Sequence, residues 1–157
     1  MAMAMSEVQR IEDQLARAFG GDSWHGDPLL KILGGIKAEQ AASHSVTRAH
    51  SIWEIVLHIT FTEGIMRRRI KGEDTRFDEG EDWPFVRGES EEDWHEALAR
   101  LEASHQELRE TISQLSDDQL DSTVVGRDYS LYVLLHGLVQ HLVYHAGQIA
   151  LLKKSLI

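Results

Sequence analysis

Two of the nine histidines, His141 and His145, lie four residues apart in a segment where leucines recur at helical spacing. Four residues advance a helix by about 400°, so both imidazoles lie on one face, roughly 6 Å apart along the axis. Two imidazoles at this spacing can reach one metal ion, as in helical H-x-x-x-H sites. A third imidazole has to come from another helix. His58, flanked by Ile55 and Ile59, is the best candidate because it lies near the core side of its helix.

The spacing of these histidines is by itself a weak indication of a metal site. Nine histidines scattered over 157 residues give about half of one i,i+4 pair by chance. The placement carries more weight, because both imidazoles flank an apolar stripe of Leu138, Leu142 and Ile149, where an unpaired polar group is costly. For any one of these histidines, the alternative interpretation is a hydrogen-bonded residue of the core.

Three neutral imidazoles leave a divalent ion its full charge and at least one open position. Such an ion can lower the pKa of a bound water, polarise a carbonyl or hold a thiolate. Imidazole ligands suit several metals; we expect zinc or nickel, with iron or manganese as alternatives. Tyr144 and Gln148, each three residues after one of the paired histidines, are candidate hydrogen-bond partners of the ligands. Ordinary hydrogen bonding on the helix surface is the alternative for both.

The remaining candidates for a site are weaker. Trp24 and His25 in a short loop, and Trp83 in a later one, are expected to form the rim of a pocket. No nucleophile is paired with a base in the sequence, so no catalytic residue is assigned and a hydrolase interpretation lacks its general base. Five further histidines are expected to lie on a helix surface, in a loop or on another helix face: His95, His105, His44, His50 and His136.

Apolar stripes at helical spacing predict four long helices that would position these side chains. The clearest start is the capping box of Ser51 and Glu54. Asp27 is expected to cap a short helix that has Pro28 at its first position, and Trp83 to Phe85 to attach a long polar connection. The elements predict an all-α, antiparallel four-helix bundle with one long crossing connection, formed by residues 1–157 as a single domain. The four long helices begin at Ser6, Ser51, Ser90 and Ser130.

Composition excludes several classes of protein. The 42% of apolar residues is enough for a core, and a net charge of −10 disfavours nucleic acid and anionic lipid as partners. The absence of cysteine excludes disulfides and thiolate ligands and fits a cytoplasmic protein. No apolar run reaches the roughly 18 residues of a membrane-spanning helix. Residues 1–5 lack the features of a signal peptide and are expected to be disordered or to derive from the expression vector.

Several segments resemble the bacterial DinB/YfiT-like superfamily. They are residues 50–58, Trp83-Pro84, residues 90–94 and residues 140–149, of which the most specific is Tyr144-His-Ala-Gly-Gln-Ile149. The resemblance extends from Trp24 to the last residues and implies a four-helix bundle that holds a divalent metal with three histidines. Carried over residue by residue, it implies His58, His141 and His145 as the ligands, with none of the three positions substituted.

The resemblance leaves the activity open. Some members are thiol-dependent transferases or isomerases that use a low-molecular-weight bacterial thiol, and others are described only as metal-dependent hydrolases. Our leading hypothesis is a metalloenzyme that activates a thiol or water against a small electrophile. The alternative is a non-enzymatic metal-binding or stress-response bundle. We also expect a homodimer, because members of the family often associate and four tryptophans require burial.

Overall fold

The computed structural model of the chain describes residues 4–156, in which the regular secondary structure is helical and no strand occurs. The helices are α1 (Glu7–Gly20), α2 (Leu29–Leu33), α3 (Ala38–Ala42), α4 (Ile52–Ile70), α5 (Glu91–Ser113) and α6 (Leu131–Lys154), with a 3₁₀ turn at Asp117–Gln119. The all-α prediction is therefore confirmed. Residues 1–3 lie outside the described range, so the expectation for residues 1–5 stays a prediction.

Serine side chains start all four long helices, as the sequence indicates. Ser6, Ser51, Ser90 and Ser130 each accept a hydrogen bond from the backbone N–H three residues later. At Ser51 the backbone N–H donates in turn to the carboxylate of Glu54 over 2.7 Å, which completes the predicted capping box. These caps fix where α4 and α6 begin and therefore the rotation at which their histidines face the interior.

The four long helices pack in a closed ring around one core. α1 lies against α5 and α6, and α4 lies against the same two helices. This pairing is compatible with the predicted four-helix bundle. The core includes Trp94, which is fully buried and donates its indole N–H to the Ile36 carbonyl over 2.8 Å. The short helices α2 and α3 cover the core beside α6 and α4, respectively.

Two local expectations were wrong. Pro28, in an extended conformation, occupies the cap position of α2, and Asp27 instead pairs with Lys31 over 2.7 Å. In the long connection between α4 and α5, Trp83 packs against the core, but Phe85 is 87% exposed. Trp83 therefore attaches this connection to the helices without help from Phe85.

His105 corrects a third expectation, because its side chain is buried and not on the surface. Its Nδ1 lies 2.8 Å from Oε1 of Glu63, and its ring stacks on Phe19 with centroids 3.7 Å apart. Glu63 is equally buried, and desolvation raises the pKa of its carboxyl although the bond to His105 opposes this. The pair therefore joins α4 to α5 inside the core with a polar contact. His95, in contrast, is exposed as expected.

Candidate metal centre

His58 is placed by α4, which turns one apolar side into the bundle. Ile55, Val56 and Ile59 are almost fully buried, and His58 between them is only 7% exposed. An imidazole in this position loses most of its water and needs polar partners inside the protein. The histidine therefore points from α4 toward the facing helix, α6.

α6 supplies the other two imidazoles from one face, one turn apart. Leu138, Leu142 and Ile149 are buried on the adjoining side of the helix and hold α6 against the core. His145 is buried and His141 is half-buried. The helical spacing therefore brings both rings to the side of α6 that meets α4.

The three histidines form one compact cluster. One ring nitrogen from each of His58, His141 and His145 lies within 4.8 Å of the other two. The Nε2 atoms of His58 and His141 are 3.0 Å apart, and the ring centroids of His141 and His145 are 4.4 Å apart. The structure thus brings together the same three residues that the sequence analysis selected.

Hydrogen bonds at the outer nitrogens orient two of the rings. Nδ1 of His58 donates to the backbone carbonyl of Asp82 over 2.5 Å, and Nδ1 of His145 donates to Oε1 of Gln148 over 2.6 Å. The amide of Gln148 in turn donates to the hydroxyl of Tyr144 over 3.2 Å. With the proton on Nδ1, each ring presents the lone pair of Nε2 to the cluster. Gln148 thus bonds directly to one of the three histidines, whereas Tyr144 bonds only to Gln148.

Burial favours the neutral form of His141 and of His145. Desolvation, followed by the proximity of His145 and His58, lowers the pKa of His141 to about 4. Desolvation also lowers the pKa of His145, although the hydrogen bond to Gln148 works in the opposite direction. A neutral imidazole is the form that can donate a lone pair to a metal ion, so the environment favours the ligating state at neutral pH.

Trp83 forms one wall of the cluster. Its indole stacks on His58 with centroids 4.1 Å apart and, on its other face, on His50 at 3.5 Å. The expectation that His50 is a surface loop residue thus misses a contact with the wall of the site. A cavity of about 440 Å³ opens beside the cluster and is lined by His58, Thr62, Met66, Phe77, Asp82, Trp83, His141, Tyr144 and His145.

The other two predicted rim residues lie elsewhere. Trp24 is completely exposed, His25 is exposed, and neither lines the cavity at the cluster. Asp82 takes part in the site although the sequence analysis did not select it. Its carboxylate lines the cavity and approaches Nδ1 of His58 to 3.9 Å. The one feature of the sequence that could have indicated a role for Asp82 is its position directly before Trp83-Pro84.

The donor set suits a divalent metal ion. Zinc–nitrogen bonds of about 2.0–2.1 Å place two ligand nitrogens on one ion roughly 3.3 Å apart. The distance of 3.0 Å between Nε2 of His58 and Nε2 of His141 and the limit of 4.8 Å for the whole cluster lie on either side of this value. Hydrogen bonds at Nδ1 of His58 and His145 leave the Nε2 lone pairs of both rings directed at the cluster. The three-histidine group can therefore hold a metal ion, whereas its ligand type leaves the identity of the metal open.

Comparison with known proteins places the chain in a family. The sequence model of the DinB superfamily matches residues 23–149, which includes all three histidines. The chain belongs to the DinB superfamily. No curated protein and no solved structure gives a significant match. The resemblance noted in the sequence is thereby confirmed at the level of the superfamily.

Within residues 4–156, no helix combines the length and the apolar character that crossing a bilayer requires.

The pKa shifts predict a pH dependence for the stability of the metal-free DinB protein. Well above pH 6.5, His141 is neutral in both the folded and the unfolded chain. Between pH 6.5 and about 4 the unfolded chain binds the proton more readily, so the free energy of unfolding decreases as the pH falls through this range. We expect the melting temperature, measured after chelation, to drop between pH 6.5 and 5. The substitution His141→Asn should make the melting temperature depend less steeply on pH. His95→Asn, at an exposed position, is the control and should show the same pH dependence of the melting temperature as wild type. An equal pH dependence in wild type and His141→Asn would contradict the interpretation.

Proposed function

We propose that this DinB protein is a metalloenzyme whose divalent ion, zinc or nickel, is bound by His58, His141 and His145. The observation that supports it best is the convergence of three imidazole nitrogens from two helices within 4.8 Å, beside an open cavity. A bound ion with three neutral ligands would lower the pKa of a coordinated water or thiol and so supply a nucleophile near neutral pH.

The residues around the cluster have distinct roles in this proposal. The Asp82 carbonyl and Gln148 hold the imidazoles in the ligating tautomer. The Asp82 carboxylate, 30% exposed in the cavity, is the candidate general base that would take the proton of the nucleophile. Trp83 covers one side of the cluster and limits the access of water from that direction.

The proposed reaction is attack by a thiol or by water on a small electrophilic substrate. The thiol would be a separate low-molecular-weight molecule, because the chain has no cysteine of its own. A cavity of about 440 Å³ is of a size that accepts a small molecule. We propose a cytoplasmic location, where the reducing environment preserves such a thiol.

We further propose a homodimer that uses α6. This helix carries exposed apolar side chains at Val133, Tyr144 and Leu151, which are 51%, 64% and 68% exposed. The tryptophans give less support than expected, because Trp53 and Trp94 are already buried within the chain. Light scattering should report twice the monomer mass, and a monomer alone at high concentration would refute the proposal.

Metal binding is tested by equilibrium dialysis followed by elemental analysis. We expect about one zinc or nickel ion per chain and loss of most of it in His141→Ala, because two imidazoles bind far more weakly than three. His136→Ala on the same helix is the matched control and should retain the ion. Chelation should also lower the melting temperature of the wild type. Equal metal content in His141→Ala and wild type, with helicity preserved in both, would refute the ligand assignment.

The enzymatic proposal is tested at Asp82 with metal-loaded protein. A screen of thiol conjugation to small electrophiles and of ester and amide hydrolysis should find a metal-dependent turnover. Asp82→Asn should reduce that turnover by about a hundredfold or more, because a general base is lost. The metal content should stay unchanged, because the backbone carbonyl of residue 82 still accepts the hydrogen bond of His58.

Two outcomes of this screen would change the conclusion. Full turnover in Asp82→Asn would remove the carboxylate from the mechanism but leave the metal site in place. Metal binding without turnover against any substrate of the screen would favour the alternative function, a non-enzymatic metal-binding or stress-response bundle.

A further inference from the structure

A second, mainly apolar cavity adjoins the histidine cluster between α4 and α6. Its volume is about 240 Å³, comparable to that of about eight molecules of liquid water. The residues that line it are Thr62, Met66, Tyr129, Val133, Leu134, Gly137, Leu138 and His141. Thr62, Met66 and His141 also line the cavity at the cluster, so the two spaces meet at these residues.

The apolar cavity extends along α6 away from the cluster. The residues that α6 contributes follow one another from Val133 to His141, a distance of roughly 12 Å along the helix axis. His141 lies at one end of this series and Tyr129, just before the helix begins, lies at the other. A molecule that fills the cavity would therefore have one end at the histidines and the other at Tyr129.

Tyr129 lines the far end of the cavity and carries a hydroxyl group. Its hydroxyl oxygen accepts a hydrogen bond from the guanidinium of Arg69 over 3.2 Å. The hydroxyl hydrogen has no acceptor among the described residues 4–156, so it is available to a ligand. A hydroxyl polarised by a cation is a stronger donor than a free one.

The guanidinium behind Tyr129 is buried without a carboxylate. Arg69 is 9% exposed and donates to Oγ1 and the carbonyl of Thr75 over 3.0 and 3.2 Å. Within residues 4–156 it forms no ion pair with any aspartate or glutamate. In the same region Arg127 pairs with Asp74, the residue next to Thr75. A buried cation without a counter-ion makes this end of the cavity favourable for negative charge.

We propose that the cavity between α4 and α6 binds the substrate of the histidine site, a small molecule with an apolar body and a terminal carboxylate that accepts a hydrogen bond from Tyr129. The opposite end of that molecule reaches His141, where the electrophilic group would react. The position of the reacting end rests on the proposed function, whereas the recognition of the apolar body and the carboxylate does not.

The test uses octanoate as the probe and 1-octanol as its uncharged counterpart, titrated calorimetrically into zinc-free full-length protein. Octanoate should bind about tenfold or more tightly than octanol, because only the carboxylate gains a charged hydrogen bond. Tyr129→Phe keeps the ring and removes the hydroxyl, so it should reduce the affinity for octanoate to that for octanol. Equal affinities for both probes, unchanged by Tyr129→Phe, would overturn the recognition of the carboxylate.

Filling the cavity provides an independent variant that should fold. A side chain at Gly137 meets no atom within 4 Å of its Cβ, and leucine favours a helix more than glycine does. Gly137→Leu should therefore keep the stability and abolish binding of octanoate. Gly147→Leu, on the same helix, is equally unhindered and outside both cavities, so it should bind octanoate like wild type. Undiminished binding in Gly137→Leu would overturn the cavity assignment.

Zinc binding separates this inference from the proposed function. If wild-type protein binds octanoate in a Tyr129-dependent manner but takes up neither zinc nor nickel, the metal site is wrong and the cavity assignment stands. If Gly137→Leu and wild type bind zinc equally but neither binds octanoate, the cavity assignment is wrong and the metal site stands.

Discussion

The site depends on one constraint: two imidazoles donate their Nδ1 hydrogens to acceptors that are fixed in place. His58 gives its hydrogen to a backbone carbonyl and His145 gives its own to Gln148. A ring held in this way can neither rotate nor change tautomer without leaving a buried polar group unpaired. The remaining lone pairs therefore stay directed at one small region, and desolvation keeps His141 and His145 neutral.

The connection between α4 and α5 is part of this arrangement and does more than join two helices. Its carbonyl at Asp82 orients His58, and the next side chain, Trp83, stacks on the same imidazole. The opposite face of the indole is covered by His50, just before α4 begins. The position of one loop thus depends on the cluster, and the orientation of the cluster depends on the loop.

The helices and the histidine pair on α6 could be predicted because both follow from local rules, whereas His58 was selected by its place near the core side of its own helix. Serine caps and apolar stripes define α4 and α6, and spacing places His141 and His145 on one face. The path of the connection has no such periodicity, so the roles of Asp82 and His50 and the exposure of Phe85 could not be derived. His105 is different, since it continues the buried stripe of Leu101, Leu108 and Ile112, and a stricter count along α5 would have placed it inside.

His58 and His141 are 83 positions apart in the chain. Bringing them together costs the entropy of closing a long loop, which is recovered only once the helices between them have packed. A newly made polypeptide consequently has at most the local pair His141 and His145, and the third histidine joins them only after α4 and α6 have packed together. Coordination of a metal by all three histidines would therefore be a late event of biogenesis, because it requires a chain that has already folded.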